Sequence, residues 1–122
     1  MITGVVRARE ARVWLKVRGP RKRWHEIHAV IDTGYTASLT LPSALITALR
    51  LPWHSVGRGV LADGSTCLFD VYQATLIWDR REVRVLVDEA DADPLVGMAL
   101  LEGYQLNVQV RARGRVTIRR PP

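Results

Sequence analysis

Asp32-Thr33-Gly34 is the segment of this 122-residue chain whose residue types make chemical sense together. A carboxylate can serve as a general acid or base. A glycine two places on lets the backbone fold back so that amide groups point at the carboxylate oxygens, and the threonine between them offers a hydroxyl that can bridge to a neighbouring chain. The tripeptide follows the apolar strand end Ala29-Val30-Ile31, so the fold itself would fix the position of the acid.

Other chemistry-bearing residues give weaker patterns. His25 and His28 lie three apart on a predicted strand and so point to opposite faces, His54 sits beside Trp53 in a loop, and Cys67 is alone. That is no metal-ligand set, and none is expected. Asp88, Glu89, Asp91 and Asp93 lack the glycine turn and terminal glutamate of an EF-hand and read as a solvated loop. Arg21-Lys22-Arg23-Trp24-His25 could grip a phosphate backbone, but a charged hairpin tip is the commoner use of such a run. Arg111, Arg113, Arg115, Arg119 and Arg120 mostly alternate and read as a solvated face.

The elements that must position Asp32 are mainly β-strands. Ala11 to Val17 alternates with a period of two and is ended by Gly19-Pro20. A second strand from Trp24 to Ile31 leads straight into Asp32. Pro42 to Arg50 predicts a helix of about two turns, with Pro42 at its first position and Pro52 beyond its end. Val60-Leu61 and Thr66 to Val71 flank Ala62-Asp63-Gly64-Ser65, where Asp-Gly predicts a tight hairpin with both central residues at positive φ. Gln73 to Trp78 and Glu82 to Val87 form another pair around Asp79-Arg80-Arg81. Pro94-Leu95-Val96-Gly97 then leads into a helical turn at Met98 to Glu102, stopped by Gly103, and a last hairpin turns at Arg113-Gly114.

This order of Asp-Thr-Gly, short helix, protruding hairpin, strand pair, apolar-apolar-Gly and short helix resembles the retroviral-type (clan AA, retropepsin-like) aspartic peptidases, particularly their small bacterial members. Ile31 before Asp-Thr-Gly, Leu39-Thr40-Leu41-Pro42 after it, and Leu61-Ala62-Asp63-Gly64-Ser65 fit that family, and the likeness runs from about Val13 to Ile118. Two residues depart from its pattern: Ala99 replaces an acidic or amide residue that ties the short helix, and Tyr35 stands where phenylalanine or a small residue is usual.

The resemblance implies an all-β, closed barrel-like acid-protease domain with one or two short helices over residues 1–122, acting as a homodimer. It implies an aspartic endopeptidase with Asp32 catalytic and Thr33, Gly34 and Gly97 supporting it. Val60, Leu61, Ala62, Asp63 and Gly64 would form a flap over the peptide substrate. Only one Asp-Thr-Gly is present, so the second carboxylate would come from an identical copy across a two-fold axis. Two carboxylates about 3 Å apart repel by roughly 5 kcal/mol at an effective dielectric of about 20, so the pair holds one proton. The ionised member takes a proton from water and the protonated member donates to the peptide carbonyl, with no metal or cofactor.

Length and composition agree with one core of ordinary size: 48% of residues are hydrophobic. No apolar run spans a bilayer, Met1 to Arg12 carries three arginines and no signal-peptide pattern, and one cysteine cannot form an internal disulfide. A cytoplasmic protein without a membrane partner is expected. The net charge of +6 rests on 18 basic residues, of which only Lys16 and Lys22 are lysines. Two readings compete with the peptidase. One is a dimeric module that binds peptide in the cleft without cleaving it, favoured by Ala99. The other is a basic nucleic-acid-binding protein, favoured by Arg21 to His25 and ranked last, so nucleic acid is not the expected partner.

Overall fold

The computed structural model describes residues Met1–Pro122. In chain order the elements are β1 (Ile2–Arg7), β2 (Glu10–Arg18), β3 (His25–Ile31), β4 (Leu39–Leu41), α1 (Ser43–Leu49), β5 (Trp53–Val60) and β6 (Thr66–Trp78). They are followed by β7 (Arg81–Glu89), β8 (Leu95–Val96), α2 (Met98–Leu101), β9 (Gln105–Val108) and β10 (Arg115–Arg119). No helix is long and apolar enough to cross a membrane.

Six strands close a barrel in the order β2, β3, β8, β4, β7, β6 and back to β2. β2 makes closure possible by dividing one edge between two partners: Gly4 to Arg7 of β1 pair with Glu10 to Val13, and Thr75 to Ile77 of β6 pair with Lys16 to Arg18. The alternation expected for β2 is realised, with Val13, Leu15 and Val17 buried inside while Trp14 and Lys16 face out. Leu39, Leu41, Leu76, Val87 and Val96 are fully buried in the same core, as are Val116 and Ile118 of β10, and Ile46 and Leu49 of α1 and Leu100 and Leu101 of α2 pack against it. Each such aliphatic side chain contributes about 1.5–3 kcal/mol on burial. β1, β10 and β9 leave the barrel as an extension, so β5 and β9 hold the two free edges of the sheet.

Several local expectations are corrected. β1, β4 and β8 join the sheet although none was expected as a strand, Trp53 and His54 begin β5 and Asp88 and Glu89 end β7 where loops were expected, and β6 is one continuous strand of 13 residues where two were expected. Pro42 is the N-cap of α1, extended at ψ 154°, and Ser43 is the first helical residue. At the protruding hairpin Gly64 has φ +84° but Asp63 is not at positive φ, so the two-residue turn is replaced by a longer loop. Leu61 N–H donates to the Ser65 carbonyl and Gly64 N–H to the Leu61 carbonyl. The Asp63 carboxylate explains the change: it accepts from the Ser65 amide and hydroxyl and closes a side-chain turn of its own.

Candidate active site

β8 lies between β3 and β4, the two strands on either side of the Asp32 loop. Val30 and Ile31 pair in parallel with Leu95 and Val96, and Leu39 and Thr40 pair antiparallel with the same two residues. The loop from Asp32 to Ser38 must therefore arch over the end of β8, where Gly97 sits. Three successive amides rise into the arch: Gly97 N–H donates to the Ser38 carbonyl at 3.0 Å, Met98 N–H to Tyr35 at 2.7 Å and Ala99 N–H to Ala37 at 3.2 Å. A Cβ on Gly97 would lie 2.1 Å from the Ala37 oxygen, so only glycine fits. These backbone bonds tie α2 to the loop without any polar side chain at residue 99.

Asp32 sits at the start of the arch, half-buried, with its N–H bonded to the Val96 carbonyl at 2.9 Å. Its Oδ1 accepts from the Gly34 amide at 2.9 Å, the fold-back expected of a glycine two residues on. Thr33 and Gly34 are exposed beside it. Asp32, Thr33, Gly34 and Gly97 are thus brought together from two distant stretches of chain.

The hairpin of β5 and β6 reaches over this loop. Between them is a cavity of about 450 Å³, lined by Gly34, Tyr35 and Ala37 below and by Gly59, Val60 and Phe69 of the hairpin above. Phe69, which sequence reasoning missed, is directly opposite Gly57 in the ladder, and its ring covers that glycine so closely that a Cβ there would lie 2.3 Å from the ring. The alternating Gly57 and Gly59 opposite an aromatic residue was the available signal. Of the five expected flap residues only Val60 lines the cavity, with most of its side chain in solvent at 74% exposure. Leu61, Ala62, Asp63 and Gly64 form the exposed tip beyond it. Hydrogen bonds from the Ser65 hydroxyl and amide hold the Asp63 carboxyl below the usual carboxylate range.

Tyr35 anchors the far side of the arch. Its hydroxyl donates to Asp88 Oδ2 at 2.7 Å and lies 3.1 Å from the Leu39 carbonyl oxygen. Burial pushes its phenol well above the ordinary value, and the Asp88 carboxylate adds to the effect, so it stays a neutral donor. The phenol thus ties the loop to the end of β7.

No protein-family model matches the chain, and no curated protein matches it. Among solved structures it is similar to the EIAV protease complexed with the inhibitor HBY-793. The two are 17% identical, with 78% of this chain and 88% of that chain covered at a TM-score of 0.58. The fold is therefore retropepsin-like: a closed six-stranded barrel with two short helices.

Proposed function

We propose that this chain is an aspartic endopeptidase of the retroviral type, akin to the small bacterial members, whose 122 residues form one domain. The observation that carries the reading is the carboxylate of Asp32, held by the amide of Gly34; Gly34, and not Asp32 itself, lines the cavity roofed by the β-hairpin, so the acid stands at the edge of that space. Such a carboxylate has a fixed position, access to solvent and room for a peptide beside it.

One copy holds one such loop, so the reaction needs a second. Two copies meet about a two-fold axis at their Asp32-Thr33-Gly34 loops, and the Thr33 hydroxyls bridge between chains. β1 is paired on both sides, by β2 and β10, so it offers no edge to a partner; β9 does, and its pairing with the β9 of the other copy extends the interface. The ionised Asp32 removes a proton from water, the resulting hydroxide adds to the peptide carbonyl carbon, and the protonated Asp32 gives its proton to the carbonyl oxygen. Collapse of the adduct breaks the C–N bond as the first Asp32 passes the proton it took from water to the amine nitrogen and the second takes one back from a hydroxyl of the adduct, which leaves a carboxylic acid, an amine and the pair with its single proton.

Sedimentation at micromolar concentration should give twice 13.7 kDa. Incubation with a mixed peptide library should yield internal cleavage products that chelators do not suppress. A species that stays monomeric in every buffer and cleaves nothing would remove the proposal.

The hairpin is a flap that closes over bound peptide and excludes water from the acid pair. Its tip tests this cheaply. Gly64 is at φ +84° with nothing within 4 Å of an added Cβ, so Gly64→Val introduces backbone strain and no clash. The strain is about 1–3 kcal/mol for a non-glycine residue in that region, and an exposed tip can fray to escape it. Turnover should fall at least about tenfold while the melting temperature, at about 4 °C per kcal/mol of strain that remains, moves by less than about 12 °C. Wild-type turnover in this variant would show that the tip takes no part.

A further inference from the structure

At the opposite end of β3 from Asp32, the structure gathers positive charge that the peptidase reading does not use. β3 is seven residues long and rises about 3.3 Å per residue, which puts His25 about 23 Å along the chain from Asp32. There a cavity of about 360 Å³ is lined by Gly19, Arg21, Arg23, His25, Ala48 and Leu49. Across Gly19 lies a second, of about 230 Å³, whose lining includes Arg18, Pro20, Pro52, Gln73, Thr75 and Arg84. Barrel closure creates part of this surface, because Arg18 pairs with Thr75 and Thr75 with Arg84, placing the three in one row.

Neither cavity has a carboxylate in its lining. Arg21, Arg23 and Arg84 make no ion pair, and Arg18 reaches Glu82 only at 3.5 Å while its guanidinium lies over the Trp24 ring, 5.2 Å from its centroid. Guanidinium groups converging on concave surface without counter-charge repel one another, and a bound anion relieves that repulsion. The charge runs through both cavities and over the Gly19-Pro20 ridge between them, as a polymer with regularly spaced anions would need. The apolar side chains in the lining are Ala48, Leu49, Ala74 and the two prolines, Pro20 and Pro52, with no aromatic residue among them.

We propose that this pole of the barrel binds the phosphate backbone of a single-stranded nucleic acid, without base specificity because Trp24 is already covered by Arg18. A flexible strand can follow the two hollows where a stiff duplex cannot. The inference is independent of the peptidase reading, and Asp32→Asn should bind as the wild type does.

The test is fluorescence anisotropy of the full chain with a labelled twenty-nucleotide oligothymidylate between 50 and 200 mM salt, against a matched polyglutamate peptide. Wild-type affinity should fall with salt. Arg21→Ala with Arg23→Ala should raise Kd at least tenfold at 50 mM and flatten the log–log salt slope by about 0.7 for each phosphate that is no longer neutralised. Arg111→Ala with Arg113→Ala removes the same charge from the exposed C-terminal hairpin and should change Kd less than twofold. Equal weakening by both double variants would reduce the effect to net charge and overturn the proposal. So would tighter binding of polyglutamate, or no binding of oligothymidylate at 50 mM.

Discussion

Asp32→Asn should abolish peptide cleavage and leave the folded chain and its dimer in place. The amide has the shape of the carboxylate, and its oxygen can still accept the Gly34 N–H that now bonds to Oδ1 at 2.9 Å. The backbone bond from Asp32 N–H to the Val96 carbonyl does not involve the side chain. What disappears is the ability to take and give a proton. General acid–base catalysis is worth about 10²–10⁴-fold in rate for each group, and a homodimer loses both participants in one substitution, so the rate should drop by at least about 10⁴-fold. The melting temperature should stay within a few degrees of wild type, since no ion pair to Asp32 is lost. Cleavage at the wild-type rate by purified Asp32→Asn would point to another acid–base group or a contaminant, and the peptidase reading would go with it.

How much of this was legible beforehand depends on whether the signal was local. The alternation of Val13, Leu15 and Val17 is a property of one strand, and so is the run of Ala29, Val30 and Ile31 into Asp32; both were readable and both are realised. β4 and β8 have three and two residues, too few to show a period, and they exist because Leu39 and Val96 find each other from distant parts of the chain. β1 was hidden by its turn. Ala8 and Arg9 take positive φ of 50° and 63° in the connection to β2, as a tight hairpin turn requires, yet neither residue announces a turn. The opposite happened at Asp63-Gly64, where the turn signal was real but the Asp63 side chain bonded to Ser65 and produced a different loop. At the arch, Asp32, Thr33 and Gly34 could be singled out because they are contiguous and their types go together chemically, and Gly97 because of the family resemblance; the structure places all four around the arch. Phe69 was not, because its position over Gly57 is set by the register between two strands, and the row of Arg18, Thr75 and Arg84 arises only when the barrel closes.

Gly97→Ala should do more damage than any other one-methyl change near the site. The added Cβ would lie 2.1 Å from the Ala37 oxygen, 2.6 Å from Tyr35 Cδ2 and 2.7 Å from the Tyr35 oxygen. Two of these are backbone atoms, so no rotamer change relieves them and the arch itself must lift. Lifting it strains or breaks the amide bonds from residues 97, 98 and 99 to Ser38, Tyr35 and Ala37, each worth about 0.5–1.5 kcal/mol net. Overpacking of this kind costs about 1–3 kcal/mol, so a total loss of about 2–5 kcal/mol is expected in denaturant unfolding. The Asp32 carboxylate rides on the same arch, and a displacement near 1 Å can cost about 10²-fold in turnover even in molecules that remain folded. Gly103→Ala is the matched control: Gly103 has φ +86° and nothing within 4 Å, so alanine there meets backbone strain without a clash and should cost about 1 kcal/mol with turnover unchanged. If the two variants lost the same stability, or if Gly97→Ala kept full activity, the amides beneath the arch would not be what holds Asp32 in place.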